Sequence, residues 1–248
     1  MSKVKKIIIA ALIFVVLAIV AMIPIPYVIE SPGTAEEVSQ FLTISGAKDE
    51  DPGSLRVLTV YVEQATVLTY FKKFLKHHEM VPAEEVFGDY TPEEFDALQD
   101  FSMRNARSKA VRVAFEAAGK TVERHVNGIF VTRVDQSSDF RDKLKVGDII
   151  ETIDGRSPGN TDESFEDLKD YLAGLEPGHT LVLQVKRDDA TMTISAKLKM
   201  NSRTGGIRLG FGGEVDEDVT SDPSVEFDPH GVSGPSGGLM FTLEIYNQ

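Results

Sequence analysis

The sequence predicts an α+β protein with a single apolar helix at its N-terminus, and three observations carry that reading. Residues 7–23 (IIIAALIFVVLAIVAMI) are apolar without interruption. Thr91-Pro92-Glu93-Glu94 is a helix start, and residues 191–200 alternate polar and apolar as a strand with one wet face does. The 248 residues leave room for one large or two small domains beyond the apolar segment, and 42% apolar content is enough for a core. The formal charge of −13 argues against nucleic acid as a partner, because phosphate binding needs a basic surface. Cysteine is absent, which removes disulfide and thiolate chemistry and suits an exported bacterial protein. A zinc site would need His and carboxylates alone.

The apolar run comes first. With Pro24, Ile25 and Pro26 it reaches the ~20 residues that cross a ~30 Å hydrocarbon layer. Lys3, Lys5 and Lys6 precede it, and Glu30, Glu36 and Glu37 follow it. Basic residues stay inside, so the expectation is a single-pass cell-membrane protein. Its N-terminus is then cytoplasmic, the membrane contact is residues 7–26, and the bulk of the chain is extracytoplasmic. The rival reading is a cleaved signal peptide, against which the run is long and the exit (PIPYVIESPG) lacks a small-x-small cleavage site.

Residues 27–30 predict a short strand and 55–62 (LRVLTVYV) a buried one. Residues 67–78 fit an amphipathic helix, with Leu68, Phe71 and Leu75 on one face. His77 and His78 end it. Adjacent helical residues point about 100° apart, so this pair is a poor metal site. No metal site and no cofactor is expected. At 92–118 a long helix is predicted: Thr91 caps it, Pro92 fits the first position, Glu94 completes a capping box and Gly119 stops it. Arg104, Arg107, Lys109 and Arg112 give its middle a basic face, read as solvated.

From Asn127 a compact pattern begins. A strand at 128–134 (GIFVTRV) leads to Leu144-Lys145-Val146-Gly147-Asp148-Ile149-Ile150, then Ile153-Asp154-Gly155, a helix with Phe165, Leu168 and Leu172, and Leu175-Glu176-Pro177-Gly178-His179-Thr180 before another strand. This order resembles a bacterial PDZ domain over about 70 residues. The resemblance implies capture of polypeptide or unfolded segments by strand addition at a sheet edge. Gly128, Ile129, Phe130 and Val131 are the expected peptide-binding residues. Gly205 to Gly213 is glycine-rich but lacks the lysine and hydroxyl of a phosphate loop.

The last segment contains Gly234-Pro235-Ser236-Gly237-Gly238-Leu239-Met240-Phe241, with Leu243-Glu244-Ile245-Tyr246 after it. Small residues around one serine, before an apolar helix, place Ser236 on a tight turn at a helix N-terminus. Glycines there let a substrate backbone approach, and free amides with the helix dipole can stabilise an oxyanion. A plain Gly/Ser turn is the alternative. The motif resembles the nucleophile segment of the Lon protease family, usually Gly-Pro-Ser-Ala-Gly. Together with Tyr27-Val28-Ile29-Glu30-Ser31-Pro32-Gly33, the wider chain resembles the membrane-anchored, PDZ-containing Lon-like serine proteases of bacteria. That resemblance implies Ser236 as nucleophile, Gly234, Pro235, Gly237 and Gly238 as its oxyanion turn, and an ATP-independent Ser-Lys endopeptidase. In the family the lysine follows the serine. Here no Lys or Arg follows Arg208, and the one histidine close in sequence is His230.

The expected organisation is therefore 1–26 as cytoplasmic tip and membrane helix, 27–123 as an α/β region, 124–200 as a PDZ-like domain and 201–248 as a partial Lon-like domain, read as truncated and inactive alone. The apolar helix after Ser236 is expected to lack a surface to pack on. The competing functional reading is a membrane-tethered PDZ adaptor without catalysis, and a third is a scaffold with no peptide affinity. Self-association into a homo-oligomer is left open.

Overall fold

The computed structural model describes residues 2–47, 53–201, 205–228 and 232–248. The chain forms two compact units, Met1–Glu36 with Arg56–Pro92, and Glu37–Leu55 with Glu93–Gln248.

In the first unit, α1 (Lys3–Ala21) and β1 (Pro24–Glu37) open the chain. The short β2 (Leu42–Ile44) belongs to the second unit; β3 (Arg56–Thr66), β4 (Glu79–Pro82) and α2 (Ala83–Phe87) complete the first. Ser2 caps α1 by accepting the Lys5 amide, and none of its residues is buried. Its 19 residues, with mean hydropathy 2.7 over an 18-residue window, make it long and apolar enough to cross a membrane or to serve as a signal sequence. At 1.5 Å per residue it is about 28 Å long.

The sheet order is β3-β1-β4. The strand expected at 27–30 is therefore part of a much longer one. The burial expected at 55–62 is wrong: β3 is an outer strand and Leu58 is 84% exposed. β-branched content marks a strand but does not say what covers it. The helix expected at 67–78 is also wrong. Only a 3-10 turn forms, Thr69–Phe74, and Leu75 is already extended at ψ 144. His77 then takes φ 63, reversing the chain into β4, where Glu79 pairs with Glu30 of β1.

In the second unit β2 is followed by α3 (Pro92–Ala117), with Glu93 and Glu94 in its first turn and Gly119 at φ 72 after its end. Next come β5 (Val122–Val134), β6 (Ile149–Ile153), α4 (Asp162–Ala173), β7 (Thr180–Arg187) and β8 (Ala190–Lys197). Thr161 and Ser164 form a capping box at the start of α4. The chain continues through β9 (Lys199–Met200), β10 (Ile207–Arg208), β11 (Phe211–Ser221), β12 (Val225–Phe227) and α5 (Gly238–Asn247).

An antiparallel sheet, β11-β5-β6-β7-β8, organises this unit. Its core gathers Ile129, Val131, Phe140, Leu144, Ile150, Leu168, Leu181, Leu183 and Val185. Strand alternation turns Phe130 to the other face, where it stacks on Phe101 of α3 at 4.0 Å and 8°. The sheet does not stop at residue 200: β11 pairs along β5 from Phe211↔Val134 to Ser221↔Val122.

Two further expectations change here. The basic middle of α3 is not simply solvated, because Arg104 reaches Asp216 at 3.0 Å and Arg112 lies 3.9 Å from Glu217. Nor does α5 lack a surface. Phe241 meets Phe41 and Phe227 edge-on at 6.3 and 5.6 Å, and Ile245 is buried. Phe41 lies far upstream, just before β2, and Phe227 lies in β12, the strand that pairs with β2.

Candidate functional site

The turn that carries Ser236 is set by its glycines. Gly234 sits at φ 99, ψ 154, a conformation that L side chains rarely adopt. Its amide donates to the Gln99 carbonyl at 3.2 Å, tying the turn to α3. Pro235–Gly237 then form a 3-10 turn that runs directly into α5, and no side chain caps it. Gly237 is buried, and a Cβ there would lie 2.8 Å from the Phe241 ring. An alanine at 237 would therefore require that ring to shift. A Cβ on Gly238 would stand 3.4 Å from the Ala106 Cβ, so the first turn of α5 approaches α3 closely.

Ser236 itself is exposed, between buried Gly234 and buried Gly237. The arrangement presents one hydroxyl to solvent at the amino end of a ten-residue helix. His230, the histidine closest to Ser236 in sequence, lies outside the described residues. Ser233 is also exposed.

The PDZ-like segment is built around two carboxylates. Asp148, 1% exposed, receives both arms of Arg187 (Nε and Nη2, each 2.7 Å) and the Lys145 amide at 2.8 Å. Asp148 in turn holds the Arg187 guanidinium above its ordinary pKa. Asp154 accepts from the Val182 amide, Tyr171 Oη and His179, each at 2.8 Å. Burial alone would raise its pKa, but these hydrogen bonds outweigh burial and hold it below the usual carboxylate range. The Asp-Gly turn is thus joined to the Pro-Gly-His segment through His179, and the Gly-Asp turn to the end of β7 through Arg187. Arg124 pairs with Glu217 and with Asp162 at 2.6 Å, joining β5, β11 and α4.

The residues expected to take a peptide do not have a free edge. Phe130 and Ile129 pair with Ile149 and Ile150 of β6 on one side, and with Glu214 and Val215 of β11 on the other. Gly128 faces Asp216, and Val131 faces Gly213 and exchanges hydrogen bonds with Asp148 and Gly147. A peptide cannot be added as a strand to an interior strand, so Gly128, Ile129, Phe130 and Val131 are corrected to structural positions. Gly128 has its own reason to be glycine: at φ 150, a Cβ would lie 2.6 Å from the Ile150 carbonyl. The end strands of the sheet are β11 and β8.

Residues 102–198 match the family model of the PDZ domain, so the chain carries a PDZ domain. Two solved structures show a partial likeness. The PDZ domain of an SdrC-like protein from Listeria monocytogenes is 24% identical, with TM-score 0.31, covering 35% of this chain and 87% of that one. That of an SdrC-like protein from Listeria innocua is 25% identical, with TM-score 0.31, covering 36% and 94%. No curated protein matches the sequence.

Proposed function

We propose that the chain is a membrane-anchored, ATP-independent serine endopeptidase of Lon-like type, with Ser236 as nucleophile and the PDZ domain holding the polypeptide substrate. The exposure of Ser236 at the amino end of α5, on a turn built from Gly234, Pro235, Gly237 and Gly238, carries the reading. A hydroxyl buried in a packed interior would have sunk it.

In this reading Ser236 Oγ attacks the substrate carbonyl carbon, and its proton passes to a base. The negative charge that forms on the carbonyl oxygen faces turn amides and the positive end of the α5 dipole. By the family resemblance the base is a lysine C-terminal to the serine, and this sequence has none after Arg208. The 248 residues by themselves are then expected not to turn over substrate. α1 anchors the protein with its N-terminus in the cytoplasm, since Lys3, Lys5 and Lys6 lie on that side.

A second reading, a membrane-tethered PDZ adaptor, draws on β11 being an end strand, where an extended peptide could add. The reading frame beyond the Gln248 codon separates the two. A continuing frame with a Gly-Gly-x-x-x-Lys-like segment supports the peptidase. A stop codon overturns it and leaves the adaptor.

A further inference from the structure

The segment between β3 and β4 has no role in either reading, yet it is unusually apolar for an exposed stretch. The 3-10 geometry repeats every three residues, so Leu68, Phe71 and Phe74 stand one above another as a ridge. All three face solvent, at 64%, 64% and 74% exposure, and Leu75 follows at 55%. A ridge of this kind is costly in water unless something covers it.

Its position indicates what does. The Val67 amide donates to the Ile23 carbonyl at 3.1 Å, and the Leu68 amide to the Ala21 carbonyl at 3.0 Å. The segment therefore leaves from the last turn of α1. Phe74 is six residues further on, at most about 12 Å of 3-10 rise. A helix of about 28 Å nearly fills a ~30 Å hydrocarbon layer, so the ridge falls at headgroup depth.

Charge agrees. Residues 67–78 hold Lys72, Lys73 and Lys76 and no acid, in a chain of net −13. Lys72 is matched by Glu63 of β3 at 2.5 Å. Lys73 lies over the Tyr70 ring, 3.6 Å from its centroid, and hydrogen-bonds its hydroxyl. Lys73 and Lys76 have no acidic partner among the described residues. Aromatic and aliphatic side chains beside ammonium groups that no carboxylate matches are what an anionic bilayer surface takes up.

We propose that Leu68, Phe71, Phe74 and Leu75 form an interfacial foot that lies in the headgroup layer beside α1, with Lys73 and Lys76 facing anionic lipid phosphates. This rests on the reading of α1 as a membrane span.

The test uses the full chain in phosphatidylcholine vesicles containing phosphatidylglycerol. The sequence has no tryptophan, so Phe71→Trp supplies the one indole, excited selectively beside the tyrosines. Leu58→Trp is the control, on the same sheet but roughly 26 Å along β3 from Thr66. Ile13→Trp reports on α1 itself. With shallow doxyl-labelled lipid, Phe71→Trp is expected to emit at shorter wavelength than Leu58→Trp and to be quenched at least about twofold more, as for a side chain ~5–10 Å into the interface. Removing the phosphatidylglycerol weakens that quenching. If Ile13→Trp is quenched but Phe71→Trp emits as in water, the foot alone is overturned. If Ile13→Trp is not quenched by any labelled lipid, the membrane reading falls and the foot with it. Shielding of Phe71→Trp that follows protein concentration and ignores doxyl lipid would assign the ridge to a second copy of the chain instead. Quenching equal in neutral and anionic vesicles would overturn the role given to the lysines.

Discussion

Asp148 is held by charge on both arms of Arg187 while only 1% exposed. Removing one partner of such a pair leaves a buried charge. Arg187→Met is therefore expected to destabilise the PDZ domain by about 3–5 kcal/mol in urea unfolding, and Asp148→Leu/Arg187→Met by less than the single change. Asp154 makes a different prediction. Its folded pKa is lowered, so the stability it contributes is present above its unfolded value of about 3.9 and lost as pH falls through the lower folded value. Asp154→Asn should weaken the acid limb of a stability–pH curve and cost about 1–3 kcal/mol near neutrality. Gly128→Ala should cost about 1–3 kcal/mol, because the new Cβ meets a backbone oxygen that has no rotamer to retreat to. At this scale the sequence was informative about which residues matter and less so about why. The Gly147-Asp148 and Asp154-Gly155 turns stood out by composition, but the arms that reach Asp148 come from Arg187, 39 positions away.

Elements with local signals were legible, and elements that depend on distant partners were not. Thr91-Pro92 and Gly119 mark the ends of α3 through backbone chemistry within one turn. The alternation at 191–200 marks β8 because Ile194 and Ala196 are buried while Thr193 and Ser195 are not. β11 gave no such signal. It carries the acids Glu214, Asp216, Glu217 and Asp218, yet Asp216 and Glu217 are buried. Arg104, Arg112 and Arg124, about a hundred residues upstream, supply the countercharge. For the same reason the surface beneath α5 was not foreseen. Phe241→Ala should destabilise the second unit by about 3–5 kcal/mol, since its ring packs between Phe41 and Phe227. Leu243→Ser, on the exposed side of the same helix, should change stability by no more than ~0.5 kcal/mol. Thermal or urea unfolding of the two variants checks both expectations.

For the whole molecule, composition alone set the main division: an apolar, basic-flanked N-terminus and an acidic remainder. The PDZ domain was legible from its motifs, and its fit to the family model covers residues 102–198, including most of α3. The candidate nucleophile was legible only by resemblance, because one exposed serine on a glycine turn has no distinctive physical signature until a base is placed beside it. The most direct test is hydrolysis of an unfolded protein by the product of the natural reading frame, reconstituted in vesicles, followed by mass spectrometry of the fragments. Cleavage by that product, abolished by Ser236→Ala while the protein stays folded, is the predicted result. Cleavage that survives Ser236→Ala, or a folded product that never cleaves, would contradict it.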